Sequence, residues 1–522
     1  MPRIAPIRGP LPSARPRLGG GAPVARAAIF ALALAAVRLW AGTGFVFNDR
    51  NGNGVRDAGE PGLAGIAVSN GVDVVRTDAN GAYSIVDRPG ATVFVVKPRG
   101  WRPPVDASFL PQFHSRPGAA TADFPLVRSE EPDGLRALVL TDPQPSSAAE
   151  VGYLARGLVA GVGRRPDLAF GVTLGDVVYD RPDLFGAVNT VLARVGIPWY
   201  SIPGNHDLRL ATPDERAAVG PFESVYGPST YAFHAGPALF VALDDVRPLG
   251  GPRFVGGLRS DQFEFLGNLL RGADPDEWVV LMMHIPLFSP DPSGAETFRK
   301  ADRLRLFEML KGRGRVLILS GHTHYQRHVM HGPEDGWDGP GRIQEYNVAA
   351  ACGGFWGGPR NGDGIPVATM WDGTPPGYAV IGFAGDKVSL DYVPALGPAD
   401  HQMEIHAPQA VAPRQGYVSF YANVFNGHEG WRVEARMDDR AWNAVPRILG
   451  WDPSYAAAFL AQDSVPHPAA GPRLPDPAIC YHLWRGILPA DLPAGRHTLY
   501  VEATDPDGRV YTGQSTVDIV PP

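Results

Sequence analysis

Asp142 and Gln144, then Asp176, the run Asn205-His206-Asp207, His284 and the run His322-Thr323-His324 are the residues whose types and spacing can do chemistry. Their carboxylates, amides and imidazoles are oxygen and nitrogen donors. Each group stands just past an apolar run: LRALVL before Asp142, LAFGVTL before Asp176, IPWYSI before Asn205, WVVLMM before His284 and RVLILS before His322. Short apolar runs bounded by turn residues read as strands buried on both faces. In α/β sheets ligands collect in the crevice beyond the carboxyl ends of the strands, so these side chains are expected to converge. A mixed oxygen and nitrogen shell suits Mn, Fe, Zn or Mg better than a structural zinc, which prefers thiolates and imidazoles.

Helical patterns lie between the apolar runs near 147–160, 183–194, 260–271 and 298–311, which marks an α/β domain over 129–400. Upstream, over 42–128, the segments GFVF, GIAVSNG, DVVRT, NGAYSIV and TVFVV alternate with turn signals and read as a small β-sandwich. Downstream, over 401–522, YVSFYANVF, WRVEARM, HTLYVEATD and TVDIV predict a second all-β sandwich around a Pro-rich middle.

The order D-x-Q, GD, GNHD, H, GHTH resembles the calcineurin-like metallophosphoesterases over about 134–396. A lone GD or GH-x-H would be weak, but five motifs in the family's order, each at a strand end, are specific. The resemblance implies a central β-sandwich flanked by helices, and the sequence DPQ resembles a subgroup with a β-domain on each side. It implies a dinuclear centre in which Asp142 and His324 hold one metal, Asn205, His284 and His322 the other, and Asp176 bridges both. A hydroxide bridging two ions about 3.5–4 Å apart would then attack phosphorus in line. His206 would stabilise charge on the phosphoryl oxygens or protonate the leaving alkoxide, with Asp207 fixing its tautomer.

Gln144 stands where the family pattern D-x-H has a histidine. Its amide oxygen either ligates, shifting the site toward harder ions, or hydrogen-bonds a bound water. His234, His328 and His331 lack motif support and are assigned to structure, although His328 is near enough to GHTH to line a pocket. The Gly-rich stretch 350–378 carries Phe355, Trp356, Trp371 and Tyr378. Trp356, Tyr378 and Tyr325 are the candidate substrate contacts, set against simple packing.

DRNGNGVRDAGE, from Asp49 to Glu60, fits the calcium-loop pattern D-x-N-x-N-G-x5-E. Asp49, Asn51, Asn53, Asp57 and Glu60 would give side-chain oxygens and Val55 its carbonyl. The loop resembles the B-type repeats of bacterial surface proteins, which implies a structural Ca; the alternative is an Asp/Asn/Gly turn without metal.

With 522 residues, 44% hydrophobic and 19% charged, the chain is a folded, multidomain protein. Lys+Arg 47 against Asp+Glu 54 gives a net charge of -7, which argues against nucleic acid as a partner. Residues 1–41 begin with Arg3, Arg8, Arg15, Arg17 and Arg26 ahead of the apolar run Ala27 to Val37. They resemble an export signal, with Arg38 and Trp40 fitting the cleavage region poorly. A periplasmic or secreted location and the absence of a transmembrane segment are expected. Cys352 and Cys480 leave one disulfide conceivable. The C-terminal aromatics Trp431, Trp442, Trp451, Tyr481 and Trp484 read most simply as core. The expected function is metal-dependent hydrolysis of a small-molecule or lipid/cell-envelope phosphate ester, monoester or diester. The competing reading is a catalytically silent surface-binding protein that works through its sandwiches.

Overall fold

Two sheets face each other at the centre of the molecule, and both are built from the apolar runs that precede the polar motifs. The first has the order Trp199–Ile202, Phe170–Leu174, Gly134–Leu140, Gly377–Ala384, Lys387–Pro394. Its first three strands are parallel and its last two antiparallel. The second runs Tyr231–Ala235, Ala238–Ala242, Trp278–Met282, Val316–Ser320, Ile343–Asn347, Arg327–His331, with parallel pairing from Ala238–Ala242 to Ile343–Asn347. Between them Phe170 meets Phe233 and Phe240 edge to face at 5.1 and 5.0 Å, and Tyr200 stacks on Phe233 at 4.0 Å. Large rings filling the inter-sheet layer explain why these strands carry no period-2 alternation: both of their faces are covered.

These observations come from a computed structural model, which describes residues 41–521 apart from 89, 116–118, 120, 132–133, 213, 290–294, 463 and 465–472. Residues 1–40 of the expected export signal 1–41 lie outside the described residues. Among the described residues no helix is long and apolar enough to cross a membrane.

The expected helices occur at Ala148–Val162, Phe185–Leu192, Ser260–Leu270 and Lys300–Leu310, the first passing through a π-helical stretch at Leu154–Val159. Glu215–Tyr226 was not expected as a helix, because Gly220 and Pro221 interrupt its pattern. Asp214 caps it by accepting from the N–H groups of Arg216 and Ala217.

The N-terminal sandwich pairs a sheet ordered Ala82–Val86, Ala41–Asn48, Phe124–Arg128, Trp101–Arg102 with one ordered Val74–Arg76, Ala67–Ser69, Phe94–Val95. Its core is continuous with that of the central sheets: Phe94 meets Phe265 edge to face at 5.9 Å, and the Asn268 amide donates to the Val72 carbonyl at 2.7 Å. The C-terminal sandwich keeps a separate core around Val424, Val433, Trp484 and Val501. Its Pro-rich middle forms the strand Arg447–Gly450 and the helix Pro453–Gln462, which the sequence pattern did not show.

Candidate active site

Parallel pairing in register, Leu140 beside Thr173 and Leu174 beside Ile202 in one sheet, Met282 beside Leu319 in the other, puts the strand ends at one edge. Past those ends the backbone turns sharply. Asp142, Gln144, Asp176, His322 and His324 all have positive φ, between 21° and 73°. Holding a non-glycine residue there costs roughly 1–2 kcal/mol each, and such strain gathers at functional sites. Gly175, at φ +84°, is needed for space as well, since a Cβ would lie 2.5 Å from the Nδ1 of His284.

The side chains form two adjoining groups. In one, Nε2 of His284 lies 3.2 Å from Oδ1 of Asn205 and 3.4 Å from Oδ1 of Asp176. Asp176, His284 and His322 bring their ligand atoms within 4.8 Å of one another. In the other, Nε2 of His324 lies 3.7 Å from Oδ1 of Asp142, and the Gln144 amide donates to Oδ2 of Asp176 at 2.9 Å. Main-chain carbonyls aim the imidazoles: Nδ1 of His284 donates to Leu174 at 2.8 Å, and Nδ1 of His324 to Gly353 at 2.6 Å. This leaves each Nε2 to face the carboxylates. Asp245, buried behind His284, accepts the N–H groups of His284 and Ile285 at 3.1 and 2.9 Å and so fixes the strand end.

A divalent cation fits this donor set. Oδ1 of Asp142 is buried with no hydrogen-bond partner among the described residues, whereas its Oδ2 accepts from the Thr141 hydroxyl and the His322 N–H. A bare buried carboxylate oxygen calls for a cation or a proton. Burial accordingly pushes the Asp142 carboxyl above its ordinary value. Burial also pushes His322 down to about 3, so it stands as a neutral donor. Burial works against charge on His284 as well, yet Asp176, Asp142 and Asp245 draw it up to about 10; positive charge is favoured where it stands.

His206 lies outside both groups. Its ring stacks on Tyr179 at 4.0 Å, and its Nδ1 is 3.1 Å from Oδ1 of Asp180. The expectation that Asp207 orients this ring is corrected. The Asp207 carboxylate accepts the N–H groups of Val177, Val178 and Gly204 at 3.1, 3.1 and 2.9 Å, tying the GNHD turn to the turn after Asp176. Burial pushes Asp207 up to about 7. Asp180, four residues past Asp176 and outside the GD motif, carries no sequence signal of this role.

A chamber of about 1200 Å³ opens over Asp176, Asn205, His206 and His322. Tyr325 lines it, and so do Gln144, Phe355 and Trp371. The other two expected contacts belong to the core. Trp356 donates its indole N–H to the Pro143 carbonyl at 2.9 Å and packs on Tyr153 at 6.1 Å, and Tyr378 sits buried in the strand Gly377–Ala384. Phe355 takes the place expected of Trp356, because successive residues in this turn face opposite ways. Trp451 and Tyr481, read as core, line the chamber instead, and Trp451 is 57% exposed. His328 is half-buried and stacks on Tyr346 at 4.3 Å, and His331 is clamped between Asp335 and Glu345. Cys352 and Cys480 are both free and buried.

In the N-terminal loop, whose residues are not among those lining the chamber, Asp49 accepts the N–H groups of Gly52, Asn53 and Gly54, and Glu60 accepts those of Arg50 and Asp57. Asp57 takes both amides of Asn51 and Asn53, which lowers its pKa, while the Val55 N–H goes to Asn53. The calcium-pattern residues thus close one compact loop.

Three family models match successive parts of the chain: the N terminal of calcineurin-like phosphoesterase over 50–129, calcineurin-like phosphoesterase over 135–326, and its C terminal over 345–511. No curated protein matches. Among solved structures, a purple acid phosphatase from yellow lupin (Lupinus luteus) seeds is 13% identical over 64% of this chain and 67% of its own, with a TM-score of 0.36. A metallophosphoesterase from Sphaerobacter thermophilus is 17% identical over 50% of this chain and 89% of its own, with a TM-score of 0.24. Scores that low add nothing to the family match, which rests on motifs at five strand ends and on both flanking regions. The chain belongs to the calcineurin-like phosphoesterases, and it is a metal-dependent phosphoesterase.

Proposed function

We propose that the centre is dinuclear, with Asp142, His324 and Gln144 on one ion, Asn205, His284 and His322 on the other, and Asp176 between them. The observation that carries this is the division of the Asp176 carboxylate: Oδ1 faces His284, whereas Oδ2 accepts from Gln144 beside Asp142. With its amide reversed, Gln144 would present oxygen in place of its N–H. Mn, Fe or Zn suits the donors.

Two divalent ions, when bound, supply Lewis-acid charge for the phosphoryl oxygens and lower the pKa of a water. The chain's own residues do the rest. Asp180 takes the Nδ1–H of His206 and leaves Nε2 for the substrate, where it can stabilise phosphoryl charge or give a proton to the leaving alkoxide. Tyr179 holds the ring plane, and Asp207 fixes the turn that carries it.

The substrate is a small-molecule or lipid phosphate ester, and the protein works outside the cytoplasm, which the basic and then apolar segment 1–41 supports. The loop Asp49–Glu60 binds a structural calcium, and the domains divide as 42–128, 129–400 and 401–522. Elemental analysis of the purified chain tests the centre: two transition-metal equivalents per chain, lost in Asp176→Asn, are expected. One equivalent in the wild type would contradict the dinuclear assignment.

A further inference from the structure

Away from the metal-ligand face, the chamber is walled by two sets of apolar groups. The catalytic domain gives Leu210, Phe254, Phe355 and Trp371; the C-terminal sandwich gives Trp451 and Tyr481. The aromatic wall begins at the metal centre itself, with Phe355 4.3 Å and Trp371 5.5 Å from the ring of His324. Among the described lining residues there is no Lys or Arg, and the acids apart from Asp176 are Asp180 and Asp476. A polyanionic or sugar-rich ester would find neither countercharge nor a dense set of donors here.

The wall is built, not incidental. Trp371, Trp451 and Tyr481 each adjoin a member of one buried polar network: Asp372, Asp452 and His482. His482 bonds Asp372 at 2.9 Å and Asn423 at 2.7 Å. Asn423 donates to the Asp372 carbonyl at 2.9 Å and to Asp452 at 3.0 Å, and His406 adds a contact to Asp452 at 2.9 Å. Asp372 in turn accepts the N–H of Gln326, two residues past His324. A network this enclosed ties the catalytic loop to the C-terminal sandwich and holds the backbone that carries the three aromatic residues.

We infer that the site takes phosphate esters whose organic part is a large, uncharged apolar chain or ring, and that the C-terminal sandwich sets this preference by supplying the far wall. The inference rests on the phosphoesterase reading of the same centre.

Calorimetric titration of the full chain with Mn²⁺ and a series of methyl-, butyl-, octyl- and phenylphosphonate tests it, since phosphonates are not hydrolysed. Affinity is expected to rise about fourfold for each added methylene until the chain outgrows the wall, with phenyl well above methyl. Trp451→Ala, at an exposed indole that the fold does not need, should weaken octylphosphonate about tenfold more than methylphosphonate. Metal-dependent binding that is equal for methyl- and octylphosphonate, or an equal loss of both in Trp451→Ala, would overturn the inference and leave the phosphoesterase centre standing. No binding of any phosphonate or of inorganic phosphate at any Mn²⁺ concentration would instead remove the reading beneath it.

Discussion

Nδ1 of His206 is held 3.1 Å from the carboxylate of Asp180, four residues past the central Asp176, while the neighbouring Asp207 faces away into the backbone. The two aspartates therefore do different work, and substitution separates them. Asp180→Asn should lower kcat about 10- to 100-fold with metal content unchanged, and His206→Ala about 10²- to 10⁴-fold. Asp207→Asn should lower stability by about 1–3 kcal/mol, because an amide N–H set against main-chain N–H groups leaves buried donors unpaired. Parallel measurement of kcat, metal content and Tm checks all three; an Asp180→Asn enzyme with wild-type kcat would show that the pair is incidental.

The buried imidazole of His331, which is not one of the metal-ligand residues, gives a pH-dependent term. Burial disfavours its charge, but Asp335 at 3.0 Å and Glu345 at 2.7 Å raise it to about 9 from 6.5. A folded-state value above the unfolded one means that the stabilisation is complete below pH 6.5 and is lost as pH rises through 9. The loss should be on the order of 3 kcal/mol, and His331→Gln should flatten it. Urea unfolding across that window reads the effect; a variant with the wild-type pH slope would refute it.

How far the sequence discloses such arrangements depends on whether they are local. Strand ends and their donors were legible because parallel strands buried on both faces leave unbroken apolar runs, each stopped by a polar residue such as Asp142 or His284. The partner of His206 was not, since adjacency favoured Asp207 and only the positive φ of Asp180, +53°, returns that carboxylate to the ring. The sequence does not separate Phe355 from Trp356 for the same reason: a turn decides which neighbour faces the chamber. Trp451 and Tyr481 lie more than a hundred residues from GHTH, and their approach to it depends on docking that no local pattern records.

The loop Asp49–Glu60 should respond to calcium without affecting chemistry. Calcium binding to the folded state alone raises Tm by mass action, so millimolar Ca²⁺ should raise the Tm of the wild type but not that of Glu60→Gln. Thermal scans of both proteins check this, and an unchanged wild-type Tm would leave the loop as a hydrogen-bonded turn.

If Asp452 positions the chamber wall, Asp452→Asn should raise KM for an apolar ester about tenfold or more while moving kcat little, since Trp451 and Tyr481 stand away from the metal ligands. Equal changes in kcat and KM for a methyl and an aryl ester would point to general loosening of the fold.

Hydrolysis of p-nitrophenyl phosphate and bis-p-nitrophenyl phosphate by the purified chain with Mn²⁺, beside Asp176→Asn, tests the central claim most directly. The dinuclear account predicts metal-dependent turnover of at least one ester, abolished in the variant, with the preferred ester deciding between monoesterase and diesterase. Turnover that survives in Asp176→Asn would contradict it.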